Sequence, residues 1–449
     1  LTDPGYLGDD EGLFLRTVST AVTVLGYVIF LGALVAIMTQ WFHQTMKLLA
    51  SGTTPLVRKN HILVIGATNR TSTILRELFQ SSGRVRRFLR LRGVRQLHVV
   101  LLSERDPEEV LEELRTELGS AFHRSAISVR HGSPLRVEHL RRVDFLRASA
   151  ILIPADDERG TGFRTRDEDA TKILWALGQA MREEAPPRPP VVVAEVSSDE
   201  KARLARRAYG GDSEIIPTEQ MMAWILALEV DCPGVLEVFE ELLAQPDGDR
   251  VYVNGAEPVI GRTIGDLCTL LPQAVVFGVL RGIEGVEPIL NPSPDFVLES
   301  GDRLLSIASD LKHTSHFDLE SVPERGPEFD PQDYRGSEGV RRVLILGWSR
   351  KVPVLIDALG GDPIHAQAID VFSRVPISER ETLVERDCAA HRTKSVRHLE
   401  GDVTSRHDLS RLDFNSYDHV LLVASDRLES DAESDARTML TCLAVDDLL

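Results

Sequence analysis

The pattern of polar and apolar positions in this chain changes near residue 45. Residues 18–42 contain no charged side chain, whereas the rest of the chain mixes short apolar runs with charged stretches. At about 1.5 Å of rise per residue, a helix of this length exceeds the hydrocarbon core of a bilayer, which is about 30 Å thick. The pattern therefore predicts one membrane-spanning helix.

The flanking charges indicate the type and orientation of this helix. A signal peptide would begin with basic residues and have a shorter apolar core, but four acidic residues lie between residues 3 and 11. Basic residues follow the helix, at Lys47, Arg58 and Lys59. The positive-inside rule then predicts that everything after the helix is cytoplasmic.

Two glycines lie within the predicted helix, at Gly26 and Gly32. Small residues in a spanning helix permit either close packing against another helix or a local bend. Both interpretations stay open, and the second makes these glycines candidate hinges for gating.

From residue 60 onward, short runs rich in β-branched residues alternate with amphipathic stretches. This alternation predicts an α/β fold with doubly wound, parallel, Rossmann-like sheets, in which ligands bind at the carboxyl ends of the strands. The predicted strands of the first such unit have the sequences HILVIGA, QLHVVLLSE, AISVRHGSP, ASAILIPAD and VVVAEVSS.

The pattern differs between residues 217 and 340. Two helical stretches within residues 217–244 are broken at Cys232-Pro233-Gly234, which predicts a helical link. Short strands punctuated by turns follow as far as Ala308 and predict a small, mainly β unit. Residues 309–340 are rich in Pro, Gly and acidic residues, which is typical of a linker.

The first pattern restarts at Arg342 as an internal repeat. The segment HILVIGATNRTSTILREL aligns with RVLILGWSRKVPVLIDAL, and a second ungapped alignment pairs Gly132 with Gly401 and Asp157 with Asp426. A second Rossmann-like unit is therefore predicted.

Composition excludes several classes of function. The 69 acidic residues outnumber the 51 basic ones and give a formal net charge of −18, which disfavours nucleic acid as a partner. Four cysteines lie far apart without a C-x-x-C pair, so neither a zinc site nor a disulfide framework is indicated. His131 and Ser133 are adjacent on one turn, which is no triad geometry, and we expect no enzyme.

Each repeat has one glycine at the turn after its first strand. A dinucleotide site requires G-x-G-x-x-G, but only the first glycine is present, as Gly66 and Gly347. These turns are either tight turns in which Thr68 or Ser349 caps the next helix, which we favour, or sites for a regulatory ligand such as NAD(H). Glu104 follows the second strand, where an acid that binds ribose is expected.

Acidic residues follow the fourth strand of each repeat. Asp156, Asp157 and Glu158 lie there in the first repeat and Asp426 in the second. Carboxylates at strand ends can hold a hard divalent cation such as Ca²⁺ as a regulatory ligand, whereas solvated loop acids are the simpler interpretation.

The order of these features resembles that of the CASTOR/POLLUX ion-channel family. Asp3-Pro4-Gly5 precedes the helix and resembles the family's ion filter, because an Asp in such a place can belong to a carboxylate ring that attracts cations. The basic stretch that leads into HILVIG and the Gly347-Trp348-Ser349 turn add to the resemblance.

The resemblance implies a potassium- or calcium-class cation channel in a membrane, with the bacterial inner membrane expected. Its homotetramer would contact lipid, conduct monovalent or divalent cations, and carry a cytoplasmic ring of RCK (regulator of K⁺ conductance) domains. The implied division is a filter end at 1–16, a pore-lining helix at 17–45, a linker at 46–59, a first RCK N-domain at 60–216, a helical crossover at 217–246, a β-rich subdomain at 247–310, a linker at 311–340 and a second, incomplete N-domain at 341–449.

An alternative is a membrane-anchored, NAD-binding regulatory subunit of a TrkA-like potassium uptake system, in which the helix is only an anchor. The chain begins at Leu1 without an initiating Met, and the second repeat stops at Leu449 before its own helical link. We therefore expect further segments at both ends of the natural protein.

Overall fold

The computed structural model describes most of the chain. The described residues are 13–50, 54–56, 58–80, 88–90, 92–94, 96–155, 166–244, 248–282, 287–317, 341–360, 367–388, 396–428 and 430–448. Within them the strands form three sheets, and a long apolar helix precedes the first sheet.

Helix α1 (Leu13–Ala50) contains the predicted spanning segment. Residues Arg16–Phe42 are long and apolar enough to cross a membrane, and none of this segment is buried within the chain. The hydroxyls of Thr20 and Thr23 donate to the carbonyls of Arg16 and Ser19, four residues earlier. These polar groups are therefore satisfied inside the helix, as an apolar surrounding requires.

The segment after α1 is tied to the first unit by backbone hydrogen bonds. The amide of Leu56 donates to the carbonyl of Arg142 at 2.7 Å, and the amide of Asn60 donates to the carbonyl of Arg147 at 2.7 Å. The strand that begins at Ile62 follows directly. The connection from helix to sheet is thus short, and it is bonded to the first unit at Leu56 and Asn60.

The first sheet consists of six parallel strands in the order β3-β2-β1-β4-β5-β6. Its central strands are fully buried apolar runs, which parallel sheets covered on both faces require. The strands are β1 (Ile62–Ile65), β2 (Val99–Ser103), β3 (Ile127–His131), β4 (Ala150–Ile153), β5 (Val191–Val196) and β6 (Ser213–Pro217).

Helices cover both faces of this sheet and create two apolar cores. Ser198 and Asp106 cap two of these helices through their side-chain oxygens, which satisfies free amides at the first turn. The helices are α2 (Thr71–Gln80), α3 (Pro107–Leu118), α4 (Val137–Arg142), α5 (Arg166–Glu184) and α6 (Asp199–Tyr209).

The second sheet is antiparallel, in the order β7-β10-β8-β9, and packs around a small separate core. Two helices, α7 (Thr218–Asp231) and α8 (Val235–Ala244), precede it. Its elements are β7 (Arg250–Gly255), α9 (Ile264–Leu270), β8 (Val275–Arg281), β9 (Glu287–Leu290) and β10 (Arg303–Ala308).

The third sheet repeats the topology of the first. Its parallel strands run in the order β13-β12-β11-β14, which matches β3-β2-β1-β4. This match confirms the predicted tandem Rossmann-like fold. The elements are β11 (Arg341–Leu346), α10 (Lys351–Gly360), β12 (Gln367–Ser373), α11 (Ile377–Asp387), β13 (Val396–Glu400), α12 (Arg406–Leu409), β14 (His419–Leu422) and α13 (Asp431–Asp446).

Helix α7 leaves the first unit and packs against the second. Its buried residues Ala223, Ala227 and Val230 share one apolar core with β11 and α10. Alanine at positions i and i+4 lets the two helix backbones approach closely. Arg341, at the start of β11, donates to the carbonyl of Val230 at 2.9 Å, so the contact is also hydrogen-bonded.

Three histidines are enclosed by these units and favour the neutral form. His61 is fully buried. Burial lowers its pKa, although Asp144 opposes the shift. Burial also lowers the pKa of His98 and that of His398 to about 4. Neutral rings are therefore stable inside the folded chain, whereas protonated rings are not.

We predict that acid destabilises the chain through these histidines. Between pH 6.5, the ordinary histidine pKa, and about 4, the unfolded chain binds protons that the folded chain does not, so stability falls as pH falls. Urea unfolding of the full chain in detergent should have a lower midpoint at pH 5 than at pH 7.

The variant His98→Gln keeps a polar partner for Ser128, whose hydroxyl lies 3.0 Å from His98 Nε2. It should lose less stability between pH 7 and pH 5 than the unsubstituted chain. Exposed His407 provides the control, because His407→Gln should leave the pH dependence unchanged. Equal pH dependence in all three proteins would contradict the prediction.

Candidate functional site

In each of the two parallel sheets, a glycine turn follows the first strand at the carboxyl edge. Gly66 and Gly347 have φ angles of +104° and +106°, a conformation that side chains strongly disfavour. A Cβ at Gly347 would also lie 2.2 Å from the carbonyl oxygen of Val423. Turn geometry alone therefore requires glycine at both positions.

The hydroxyl residues in these turns bond to nearby backbone. Thr68 accepts from the amide of Arg70 at 3.3 Å, and its own amide donates to the hydroxyl of Thr71 at 2.9 Å. Ser349 accepts from the amide of Lys351 at 3.3 Å. Thr68 and Ser349 thus form hydrogen bonds within the turns that precede α2 and α10.

An ion pair occupies the carboxyl edge of the first sheet. The guanidinium of Arg70 pairs with Glu195, which also accepts from the amide of Ala155 at 3.0 Å. Glu104 is exposed and has no hydrogen bond or ion pair with another described residue. Sequence reasoning missed Arg70 and Glu195, because the turn and the end of β5 are separated by more than one hundred residues.

A buried carboxylate lies beside this ion pair. Asp167, at the start of α5, accepts from both the amide and the hydroxyl of Ser197. The carbonyl of Ser197 in turn accepts from the amide of Glu219 at 3.0 Å, in the first turn of α7. The first edge is therefore connected through its backbone to the helix that packs on the second unit.

The carboxyl edge of the third sheet contains an open cavity of about 300 Å³, at the lower end of small-molecule sites, which begin near 300 Å³. Residues that follow all four strands line it, together with polar side chains of α13. The lining includes Gly347, Ser373, Arg374, Asp402, Ser425, Arg427, Ser434, Arg437, Thr438 and Thr441.

Three arginines give this cavity a basic character. Arg374 pairs with Asp402 at 3.4 Å, and Arg427 pairs with Glu379 at 2.6 Å. Burial by itself would raise the pKa of Asp402, but hydrogen bonds from Thr404 and the charges of Arg374 and Arg437 lower it below the ordinary value. Asp402 is therefore ionised, and it neutralises only part of the arginine charge.

A fully buried arginine fixes the backbone next to the cavity. Arg380 donates to the carbonyls of Val375 and Val371 at 2.8 Å each and to that of Leu399 at 2.9 Å. These bonds join β12, β13 and the loop that follows β12. The residues that line the cavity on this side are consequently fixed in place.

A second ionic cluster joins the two units. Arg350 in the second turn lies 3.0 Å from Asp426 and 3.7 Å from Glu219 of α7. Burial raises the pKa of Glu219, while Arg350 and Lys351 oppose the shift. We call these three residues the inter-unit triad: Glu219, Arg350 and Asp426.

Of the four candidate metal ligands, the structure describes only Asp426. Asp156, Asp157 and Glu158 lie outside the described residues, and Asp426 is bound to Arg350 within the inter-unit triad. The described part of the chain contains no group of three or more His, Cys, Asp or Glu side chains suited to a metal ion.

The candidate channel residues lie in or before α1. Asp3, Pro4 and Gly5 lie outside the described residues, whereas Gly26 and Gly32 lie within the helix. A Cβ at Gly32 would meet no atom of the chain within 4 Å. No contact within this single chain therefore requires a glycine at position 32.

Known proteins resemble this chain along its whole length. Residues 57–186 match the family described as the calcium-activated potassium channel slowpoke-like RCK domain. The chain is 25% identical over 455 residues to the probable ion channel SYM8 of Pisum sativum and 26% identical to the probable ion channel POLLUX of Oryza sativa subsp. japonica. All of this chain is covered, against 48% and 45% of those proteins, so it spans about half their length.

The fold also matches a solved regulatory structure. The human SLO3 gating ring aligns at a TM-score of 0.59 and 12% identity, covering 86% of this chain and 70% of that one. Ion channels named CASTOR also match the whole of this chain, over about half of their own length. This chain is therefore similar along its whole length to the CASTOR/POLLUX ion channels, and its residues 57–186 match a slowpoke-like RCK domain.

Proposed function

We propose that this chain forms the pore-lining and regulatory part of a cation channel of the potassium or calcium class, and that it is not an enzyme. The observation that carries the proposal is the similarity to ion channels over every part of the chain, from the predicted spanning segment to the third sheet. Helix α1 would line the pore, and the tandem RCK units would form a gating ring.

The proposed channel is a homotetramer in a bacterial inner membrane, with α1 against lipid and neighbouring helices and the RCK units in the cytoplasm. The exposed apolar surface of α1 supports this arrangement, because side chains such as Ile37 (65% exposed) and Met38 (61%) have no cover within one chain. Asp3, Pro4 and Gly5 would contribute to the filter, and Gly26 and Gly32 would allow α1 to bend.

Gating would follow from the connection between α1 and the first sheet. The segment after α1 is bonded to Arg142 and Arg147 through Leu56 and Asn60, so a displacement of this edge of the sheet would pull on the helix. A ligand that binds the open and closed arrangements of the ring with different affinity would shift their populations.

The proposal predicts that charge at the filter controls conduction. In the protein reconstituted in liposomes, Asp3→Asn should reduce cation flux about twofold or more at low ionic strength, because four neutralised carboxylates attract fewer cations. Radioactive or fluorescent flux assays over a series of salt concentrations measure this effect.

The exposed carboxylate Glu112 on α3 provides the control, and Glu112→Gln should leave the flux unchanged. Flux of Asp3→Asn equal to that of the unsubstituted protein would remove Asp3 from the filter. If the unsubstituted protein carried no cation flux at all, the regulatory subunit of an uptake system would become the better assignment.

The inter-unit triad predicts energetic coupling between the two RCK units. Glu219→Gln and Arg350→Gln should each destabilise the chain and change basal flux, and the double variant should add little to either. A double-mutant cycle on unfolding should give a coupling energy of about 0.5–3 kcal/mol, the range for residues in contact.

The matched control is the exposed pair of Asp199 and Arg203 on α6, which lies 3.2 Å apart within one helix. Its cycle should give about 0.3–0.5 kcal/mol and no change in flux. Equal coupling in the two cycles, or unchanged flux in the triad variants, would show that the triad does not connect the units.

A further inference from the structure

The amino edge of the first sheet is the part of that sheet that the chain enters directly after α1. Only residues 51–61 separate the end of α1 from the start of β1. Leu56, which is bonded to Arg142 at this edge, follows Ala50 by six residues, a distance of at most about 20 Å for an extended chain. The amino edge therefore faces the end of the predicted spanning helix.

The sequence that leads into this edge is strongly basic. Between Leu78 and Ser103 it contains six arginines and no acidic residue, although the whole chain has a net charge of −18. Arg58 and Lys59 shortly precede β1. A block of one sign of charge within a chain of the opposite sign indicates a local partner of opposite charge.

A short helical turn fixes two of these arginines beside the start of β1. The side-chain amide of Asn60 donates to the carbonyl of Arg92 at 3.4 Å. Leu89 of the same turn is buried, and Phe88 packs against the core formed by β1, β2 and β3. Arg90 and Arg92 therefore project from a fixed backbone at the amino edge.

The electrostatics of this edge show that its positive groups lie close to one another. Burial lowers the pKa of His98, directly before β2, to about 4, and the charge of Arg58 adds to the shift. Burial also lowers the pKa of Arg130 on β3, and Arg124 adds to that shift. Cations are thus held near enough to disfavour one another.

Five cations of this edge form no ion pair with another described residue. We call them the amino-edge surface: Arg58, Lys59, Arg90, Arg92 and Arg124. Of the acids nearby, Asp144 pairs with Arg147 at 3.0 Å, and Glu117 is exposed at the end of α3. The surface therefore has an excess of positive charge, which is unfavourable unless an anionic partner lies opposite it.

The excess is confined to the half of the edge that contains β3, β2 and β1. On the other half, beside β5 and β6, the acids Glu183, Glu184 and Asp212 accompany Arg182 and Arg188. Positive charge is thus concentrated beside the strand that the chain enters after α1. A contact with the membrane surface requires this distribution.

An anionic bilayer surface is the partner that fits this position. The cytoplasmic leaflet is negatively charged and attracts basic groups within a Debye length, which is about 8 Å at physiological ionic strength. The helical residues beyond Phe42 and the connection as far as Leu56 together span at most about 30 Å. Many lipid headgroups also suit cations that are spread over several loops better than one small anion does.

We propose that the amino-edge surface binds the anionic phospholipid headgroups of the cytoplasmic leaflet and holds the first RCK unit against the membrane. The inference rests on the proposed function only in that α1 spans the bilayer. Asn60 joins Arg92 to the connection that follows α1, so lipid at this surface would set the position from which the ring pulls on the helix.

Hydrogen exchange of the full chain tests the proposal, in vesicles of phosphatidylcholine with or without phosphatidylglycerol. Backbone amides in peptides that contain Arg92 and Arg124 should exchange more slowly in the anionic vesicles. Added salt should remove the difference, because the contact is electrostatic. Amides of the second unit should exchange equally in both kinds of vesicle.

Arginine variants connect the protection to the surface. Arg58→Gln and Arg90→Gln should each weaken the lipid contact about fivefold, and together about twentyfold or more. The matched control is Arg136→Gln, because Arg136 is exposed at the start of α4, at the opposite edge of the same sheet. It should keep the protection. Thermal unfolding in detergent should be the same for all of these proteins, since the replaced side chains are exposed.

Several outcomes would overturn the inference. Equal exchange in the two kinds of vesicle would do so, as would protection that survives in the double variant or is lost equally in Arg136→Gln. Protection by inorganic phosphate or glycerol phosphate in neutral vesicles would assign the surface to a soluble anion instead.

Cation flux through the same vesicles separates this inference from the proposed function. Flux without lipid-dependent protection would keep the channel and remove the lipid contact. Protection without flux would keep the lipid contact and count against the channel. Release of the protein from the vesicles by alkaline carbonate would show that α1 does not span the bilayer and would overturn both.

Discussion

The arrangement of this protein depends on the packing of one helix. Helix α7 directly follows the first Rossmann-like unit in the sequence, but its Ala223, Ala227 and Val230 belong to the core of the second. Removing that contact would expose apolar surface on both units at once, which is unfavourable because burial of such surface is the main source of stability. The two units therefore cannot change their relative position without changing the environment of α7.

Charged residues form polar contacts near both ends of this apolar interface. The inter-unit triad lies at the amino end of α7, and the bond from Arg341 to Val230 lies towards its carboxyl end. The first turn of α7 is also bonded to Ser197, whose side chain is held by Asp167. Events at either carboxyl edge thus reach the same helix, which is the physical requirement for one regulatory site to influence another.

The two repeats show how one backbone can carry different chemistry. Both keep the glycine turn and the strand order, because a residue with a Cβ would strain the turn and a different order would break the sheet. The space above the sheet is under no such constraint. In the first unit the helix after the fourth strand buries Ile173, Leu174 and Leu177 in the apolar core, whereas in the second unit a polar and basic cavity lies at the carboxyl edge.

The sequence by itself determined the long apolar helix, the alternation of strands and helices, and the duplication. Each of these follows from local composition or from spacing, such as the charge-free run of residues 18–42 or the pairing of Gly132 with Gly401. Tertiary structure alone showed that the turn at Gly347 opens into a cavity. It also brought Arg350 to Glu219, 131 positions away, and Arg70 to Glu195. Such contacts depend on how strands and helices pack in three dimensions, which the spacing of residues along the chain does not specify.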